Sequence, residues 1–204
     1  MHSTKRGLFI VTDGIDGSGK TTQARMLVKW LKKQGKKVVF THEPMRTTKL
    51  GRYIEKRIRD NKNKTTKEEL LKLFTQDRRY HLKHEILPAL KKGRIVISDR
   101  YYYSTFAYQL PESKWKSYAK PFLKPDLAFI FEVPEKIAMK RVEKSISGNE
   151  RRFREKAIFE KEKFLKKLRK KFLRMRKFRE ARIIDGTPKP EIIFESVKKE
   201  VERR

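Results

Sequence analysis

Apolar residues gather in five short runs, Leu8–Thr12, Val38–Thr41, Ile95–Ser98, Leu127–Val133 and Arg182–Asp185, separated by longer polar stretches with helical spacing. Runs this short and continuous read as buried strands, and their alternation with helical segments predicts a parallel sheet. The expected fold is α/β, a five-stranded parallel sheet with helices on both faces. Between the first two runs, Ala24, Leu27, Val28 and Leu31 recur at three and four residues, with Gly35 standing where a C-cap is wanted. That spacing predicts a helix of about three turns.

Leu70, Leu71, Leu73, Phe74, Leu82, Ile86 and Leu87 predict more helix over 70–90, kinked at Pro88 and closed before Gly93. The stretch from Glu150 to Arg182 is the most basic, yet Phe164, Leu165, Leu168, Phe172 and Leu173 form one stripe at helical spacing. A docked amphipathic helix with a solvated cationic face follows. Ser145–Arg154, SISGNERRFR, lacks any apolar period and reads as a mobile basic loop, a lid near 145–155.

With 204 residues, 37% of them hydrophobic, the chain is expected to form one domain over 1–204. No apolar run approaches the roughly 20 residues of a membrane-spanning helix, and the one behind the basic start is too short for a signal peptide. A cytoplasmic protein without a membrane partner is expected. The absence of cysteine excludes disulfides, thiolate metal sites and cysteine nucleophiles. Lys and Arg number 55 against 25 Asp and Glu, a formal charge of +30 that attracts polyanions whatever the fold. The basic residues are spread along the chain, with no zinc-finger, RNP-like or helix-turn-helix signature. A solvated, thermophile-like surface is therefore expected, with no specific nucleic-acid partner.

Gly14–Thr21 reads GIDGSGKT, a full match to G-x-x-x-x-G-K-[ST], after an apolar strand and before an amphipathic helix. In that context Gly14, Ile15, Asp16, Gly17, Ser18, Gly19, Lys20, Thr21 and Thr22 form a candidate ATP cradle, its backbone N–H groups and helix N-terminus facing a polyphosphate. Lys20 is expected at the β- and γ-phosphates and Thr21 at Mg²⁺. At the end of the third strand, Asp99-Arg100 opens DRYYYSTFAYQ, at the sheet edge where α/β proteins bind ligands. Asp99 can hold the hydration shell of Mg²⁺, and Arg100 can grip a phosphate.

These segments, GIDGSGKTTQA, THEP at Thr41–Pro44, LLKLFTQDRRYH at Leu70–His81 and DRYYYSTFAYQ, resemble the motifs of the thymidylate kinase family in family order. KPDLAFIFEV at Lys124–Val133 and IIDGTP at Ile183–Pro188 resemble its later strands. The resemblance implies in-line transfer of the γ-phosphoryl group of MgATP to dTMP, with Mg²⁺ as cofactor. It puts Asp16 beside the deoxyribose and phosphate of dTMP, Phe74 flat against thymine and Arg78 at the base. It makes Arg100 the phosphate clamp, helped by Arg46, counts Glu43 among the acceptor residues, and lets Thr105, Tyr108 and Gln109 shape the pocket. Arg141 corresponds to the arginine that stacks on adenine, near Gly186 and Thr187.

Where many members have E-P-G-G-T, this chain has Glu43-Pro44-Met45-Arg46-Thr47, and the usual Glu before the P-loop glycine is Asp13. That shorter carboxylate is left outside the catalytic set. Some members carry an arginine within the P-loop at the position of Gly17; here Arg151, Arg152 and Arg154 of the basic loop are the candidate donors to the transferred group. The family is commonly homodimeric, which makes a homodimer an expected partner state. A P-loop kinase for another nucleoside or nucleotide and a nucleic-acid-binding ATPase stay open as alternatives.

Overall fold

The computed structural model describes residues 6–59, 65–145 and 155–204. Five strands, β1 (Phe9–Gly14), β2 (Val38–His42), β3 (Ile95–Asp99), β4 (Leu127–Glu132) and β5 (Ala181–Asp185), pair in the order β2-β3-β1-β4-β5, every pair parallel. The five apolar runs thus become the five strands, with boundaries shifted by a residue or two.

Along β1 and β4, side chains alternate between two cores. Phe9, Val11, Ala128 and Ile130 face one side of the sheet, and Ile10, Leu127, Phe129 and Phe131 the other. The second side is covered by α1 (Lys20–Lys33) and α9 (Pro190–Glu202), through Ala24, Leu27 and Leu31 against Ile193, Phe194 and Val197. The first side carries α3 (Lys67–His81), α4 (Leu87–Lys91), α5 (Tyr102–Tyr108), α6 (Trp115–Ala119), α7 (Glu135–Ser145) and α8 (Glu155–Arg174), and α2 (Lys49–Arg59) packs on α3. Its core contains Tyr101, Tyr102, Tyr103, Phe106, Leu168 and Phe172. An aromatic stack of Phe106 on Trp115, with centroids 5.2 Å apart, lies in this layer.

A capping box starts α3. Thr66 Oγ1 accepts from the Glu69 N–H at 3.1 Å, and Glu69 Oε2 accepts from the Thr66 N–H at 2.8 Å. The helix expected over 70–90 changes geometry before Pro88, widening to a π-helical turn at Leu82–Ile86 and resuming as α4 with Pro88 in its first turn. Pro88 has no N–H to donate, and its ring would crowd the carbonyl four residues back; a widened turn relieves both constraints.

The basic amphipathic helix is α8, and Leu165, Leu168 and Phe172 bury as the stripe predicts. Its cationic face is less solvated than expected. Lys171 Nζ donates to the carbonyls of Ala107 and Leu110 at 3.0 and 2.9 Å, closing the C-terminus of α5, which has no basic residue in its own last turn. Arg169 pairs with Glu132 and Glu135. Phe164 departs from the buried stripe, 49% exposed with its ring edge-on to Tyr108. Among the described residues no helix is long and apolar enough to cross a membrane.

Candidate active site

The carboxyl ends of β1, β2 and β3 lie side by side, with His42 and Thr12 both opposite Asp99 in register. Strand order reverses around β1, and the crevice at such a reversal is where open α/β sheets bind ligands. From β1 the chain turns through Gly14–Gly19, in which Gly14, Gly17 and Gly19 have φ of 146°, 82° and 89°. The approach of α7 closes off any side chain at Gly17, since a Cβ there would lie 2.2 Å from Ala138 O. That packing accounts for glycine at the position where arginine stands in some proteins the chain resembles.

Gly19 caps α1 without a side-chain bond, and no acidic residue sits in the first turn of that helix, so its N–H groups and dipole are available to an anion. Lys20 is buried at this end, its Nζ 3.4 Å from Ile15 O and 3.3 Å from Asp16 Oδ1. Burial, with Arg100 nearby, pulls the ammonium below its ordinary pKa, against the raising influence of Asp16, Asp99 and Asp13. Thr22 lies exposed in the same first turn.

Thr21 Oγ1 donates to Asp99 Oδ2 at 2.5 Å, while Asp99 Oδ1 and Ser18 Oγ are buried without a hydrogen-bond partner. A hydroxyl and a carboxylate with an orphaned oxygen beside a phosphate cradle match the hard-oxygen chemistry of Mg²⁺, which keeps several waters and shares substrate phosphates. No cluster of three or more His, Asp or Glu side chains suited to a metal occurs among the described residues. The orphaned Asp99 oxygen is the observation that fits the cation here.

Arg100 has φ 76°, the one left-handed non-glycine conformation among the described residues, and such a residue carries strain of about 1–3 kcal/mol. Its backbone N–H donates to Thr12 O at 2.8 Å, and its carbonyl accepts from Ser98 Oγ at 2.7 Å. The turn aims the guanidinium along the sheet edge. Nη2 donates to Asp16 Oδ1 at 2.5 Å and Nη1 to Ser104 Oγ at 2.8 Å, with the Tyr108 ring 5.9 Å away.

Asp13, outside the catalytic set that the motifs imply, is the clasp beneath this turn. Its carboxylate accepts from the backbone of Gly14, Tyr101 and Ser104 and from Ser104 Oγ, at 2.9, 3.3, 2.8 and 2.7 Å. Burial raises its pKa against the opposing pull of Arg100 and these bonds. An aspartate immediately before the P-loop glycine is the signal that could have found it. Ser104, the link between Asp13 and Arg100, gave no signal of its own.

Beyond Arg100 opens a cavity of about 470 Å³, within the roughly 300–1,000 Å³ range of small-molecule sites. The structure brings Asp16, Glu43, Arg46, Phe74, Arg78, Arg100, Thr105, Tyr108 and Gln109 to its wall, together with His42, Ile58 and Leu70, for which the motifs implied no binding role. Arg46 is on the exposed rim, its Nε donating to Glu55 Oε1 at 2.6 Å.

Arg78 is 1% exposed and Glu43 2% exposed, so Arg78 is far more buried than a simple cavity-facing side chain. Its Nε and Nη2 donate to Glu43 Oε2 at 2.9 and 2.7 Å, Nη2 also to Thr105 Oγ1 at 3.2 Å, and Nη1 to Tyr118 OH at 2.9 Å. Burial pushes the Glu43 carboxyl up, but Arg78 and the His81 bond outweigh it and hold the group below its ordinary value. Asp77 pins the adjoining loop by accepting from the Met45 N–H at 3.0 Å, and burial pushes its pKa up to about 6.

On the far side of the P-loop, Arg141 of α7 donates to Gly186 O at 2.7 Å and Thr187 O at 3.1 Å, joining the two elements expected around adenine. Arg151, Arg152 and Arg154 lie outside the described residues.

The central-strand P-loop, the Thr21–Asp99 pair and the cavity joined to them through Asp16 and Arg100 define the class as a P-loop kinase. The thymidylate kinase family model matches residues 12–197. Similar proteins include a probable thymidylate kinase of Pyrococcus abyssi, 37% identical with 94% of both chains covered. Another, from Thermococcus onnurineus, is 38% identical over 93% of this chain and 95% of the relative. The thymidylate kinase of Thermosipho africanus is 35% identical over 96% and 98%. The chain belongs to the thymidylate kinase family.

Proposed function

We propose that this protein transfers the γ-phosphoryl group of ATP to dTMP, giving dTDP and ADP. The observation that carries the reading is the Asp16–Arg100 contact, which stands where the phosphate cradle meets a cavity walled by Phe74, Arg78 and Tyr108. A donor polyphosphate and an acceptor phosphate would meet across it. Residues 1–204 act as one kinase domain in this reading.

Lys20 binds the β- and γ-phosphates and offsets charge that develops on the transferred group. Thr21 and Asp99 are the residues that would hold Mg²⁺, which would supply neutralisation of the negative charge on the donor phosphates. Arg100 grips the acceptor phosphate, with Arg46 from the rim, and Asp16 orients the sugar and phosphate. Phe74 stacks on thymine and Arg78 donates to a base carbonyl, while Glu43 holds Arg78. Thr105, Tyr108 and Gln109 bound the pocket at purine-excluding size. Arg141 and the Gly186–Thr187 loop receive adenine. The acceptor is already an anion, so no general base is needed, and positioning with charge does the catalysis. Arg151 and Arg152 are the proposed donors to the equatorial oxygens. A cytoplasmic location and a homodimer complete the reading.

The test measures ATP consumption by the purified protein with dTMP alone, and separately with single- and double-stranded DNA or RNA. Turnover that requires dTMP supports the reading. Turnover stimulated by nucleic acid and indifferent to dTMP would replace it with a nucleic-acid-dependent ATPase.

A further inference from the structure

Phe74, Arg78 and His81 lie at i, i+4 and i+7 of α3, one face of that helix. The first two line the cavity, whereas His81 is 0% exposed and lies behind them, outside the lining. Arg78 takes only one oxygen of Glu43, both Nε and Nη2 bonding to Oε2. A carboxylate held by one oxygen is loose about its terminal bond, and apart from Glu43 the Arg78 guanidinium has Thr105 Oγ1 and Tyr118 OH as its side-chain partners. Here the second oxygen, Oε1, meets His81 Nδ1 at 3.3 Å. An ionised carboxylate can only accept, so Nδ1 carries the hydrogen. On the other side of the ring, Nε2 is 2.7 Å from the hydroxyl of Thr41, a buried residue of β2, and 3.7 Å from Glu85. A continuous chain therefore runs from the sheet through Thr41, His81 and Glu43 to Arg78.

We propose that His81, braced by Thr41, is a positioning residue that fixes the angle at which Arg78 presents its N–H groups to the acceptor base, and thereby sets base preference. The inference rests on the reading of Arg78 as the base contact. A guanidinium fixed at one angle discriminates, because a carbonyl accepts its hydrogen while an amino group in the same place leaves two donors facing each other. One free to tilt retreats from the wrong base at less cost. Neither His81 nor Thr41 lines the cavity, so their effect reaches it through Glu43, which does, and through the arginine that Glu43 holds.

The experiment compares Thr41→Val, His81→Asn and Arg78→Lys with the parent enzyme, reading kcat/KM for dTMP and dCMP, KM for ATP, and the thermal midpoint. Valine keeps the branched shape of threonine and removes only the hydroxyl. Its effect on the ratio of dTMP to dCMP efficiency should be a drop of about fivefold, the consequence of one lost hydrogen bond, carried by KM for dTMP with KM for ATP unchanged. His81→Asn should lower the ratio further; should that variant fail to fold, Thr41→Val decides alone. If Arg78→Lys lowers the ratio while folded Thr41→Val and His81→Asn retain the parent value, the positioning role is overturned and the Arg78 reading stands. If Arg78→Lys leaves the ratio unchanged, the base reading fails, and the positioning role with it.

Discussion

Replacing Glu43 by glutamine keeps the shape of a 2% exposed side chain and removes its charge, leaving the 1% exposed Arg78 guanidinium without a counter-ion. Breaking a buried pair from one side costs about 3–5 kcal/mol. The amide oxygen of glutamine can still accept from Arg78, which puts Glu43→Gln near the lower end, at about 3 kcal/mol. Removing both charges is a different perturbation. In Glu43→Gln/Arg78→Met neither substituted position carries a charge, Tyr118 keeps its 2.8 Å bond to Thr75, and the expected loss is ~1–2 kcal/mol, smaller than that of the single change. Equilibrium urea unfolding at pH 7, followed by far-ultraviolet circular dichroism and tryptophan fluorescence, measures both losses where the two probes coincide. The pH dependence adds a sign. Glu43 is held below its ordinary pKa of 4.5, so its stabilising contribution is complete above that value and lost as pH falls through the lower folded value. The gap between parent and Glu43→Gln should narrow as the solution becomes acidic. A single-variant loss below about 1 kcal/mol, or a double-variant loss equal to the sum of both singles, would show that Glu43 and Arg78 are not a coupled buried ion pair.

Lys20→Ala should lower turnover by more than about a hundredfold and leave the circular dichroism spectrum unchanged; near-parent activity in that folded variant would remove Lys20 from the chemistry. Gly17→Ala sets a Cβ 2.2 Å from Ala138 O at φ 82°, and should cost at least about 1 kcal/mol in urea unfolding while raising KM for ATP. A neutral result would mean that α7 does not crowd the loop. Asp77→Asn tests the raised carboxyl. Folding disfavours the ionised form, so the penalty is absent below the ordinary 3.8, grows as pH rises and is complete above about 6. The variant's thermal midpoint should gain on the parent across that interval, and a gain confined to acid would contradict the assignment.

The sheet was legible because its inner strands β1, β3 and β4 are buried on both faces and carry nearly continuous apolar runs, such as Leu127–Phe131, while the edge strands β2 and β5 keep shorter ones. The phosphate cradle was legible because its motif is local, with strand, turn and helix contiguous from Phe9 to Lys33. What escaped is long-range. Asp13 bonds Ser104 across 91 positions and Arg78 bonds Glu43 across 35, and spacing does not reveal which charged residue of a chain that is 39% charged meets which. Lys171 looked like one more cation on a basic helix, and only the packing of α8 on α5 gives it two carbonyls. The widened turn at Leu82–Ile86 likewise arises from fitting Pro88 inside a helical segment, where the apolar pattern simply continues.

The proposed reaction requires a thymine monophosphate to seat in the cavity between Phe74, Arg78 and Arg100 in preference to other bases. The most direct test offers the purified protein dTMP, dUMP, dCMP, dAMP and dGMP separately with ATP and Mg²⁺, and quantifies each nucleoside diphosphate formed against ADP released. Preference for dTMP is predicted, with dUMP next by a margin on the order of 10- to 200-fold because it lacks only a methyl group, and with dCMP and both purines poorer still. Equal or better use of dCMP or of a purine monophosphate would contradict the claim.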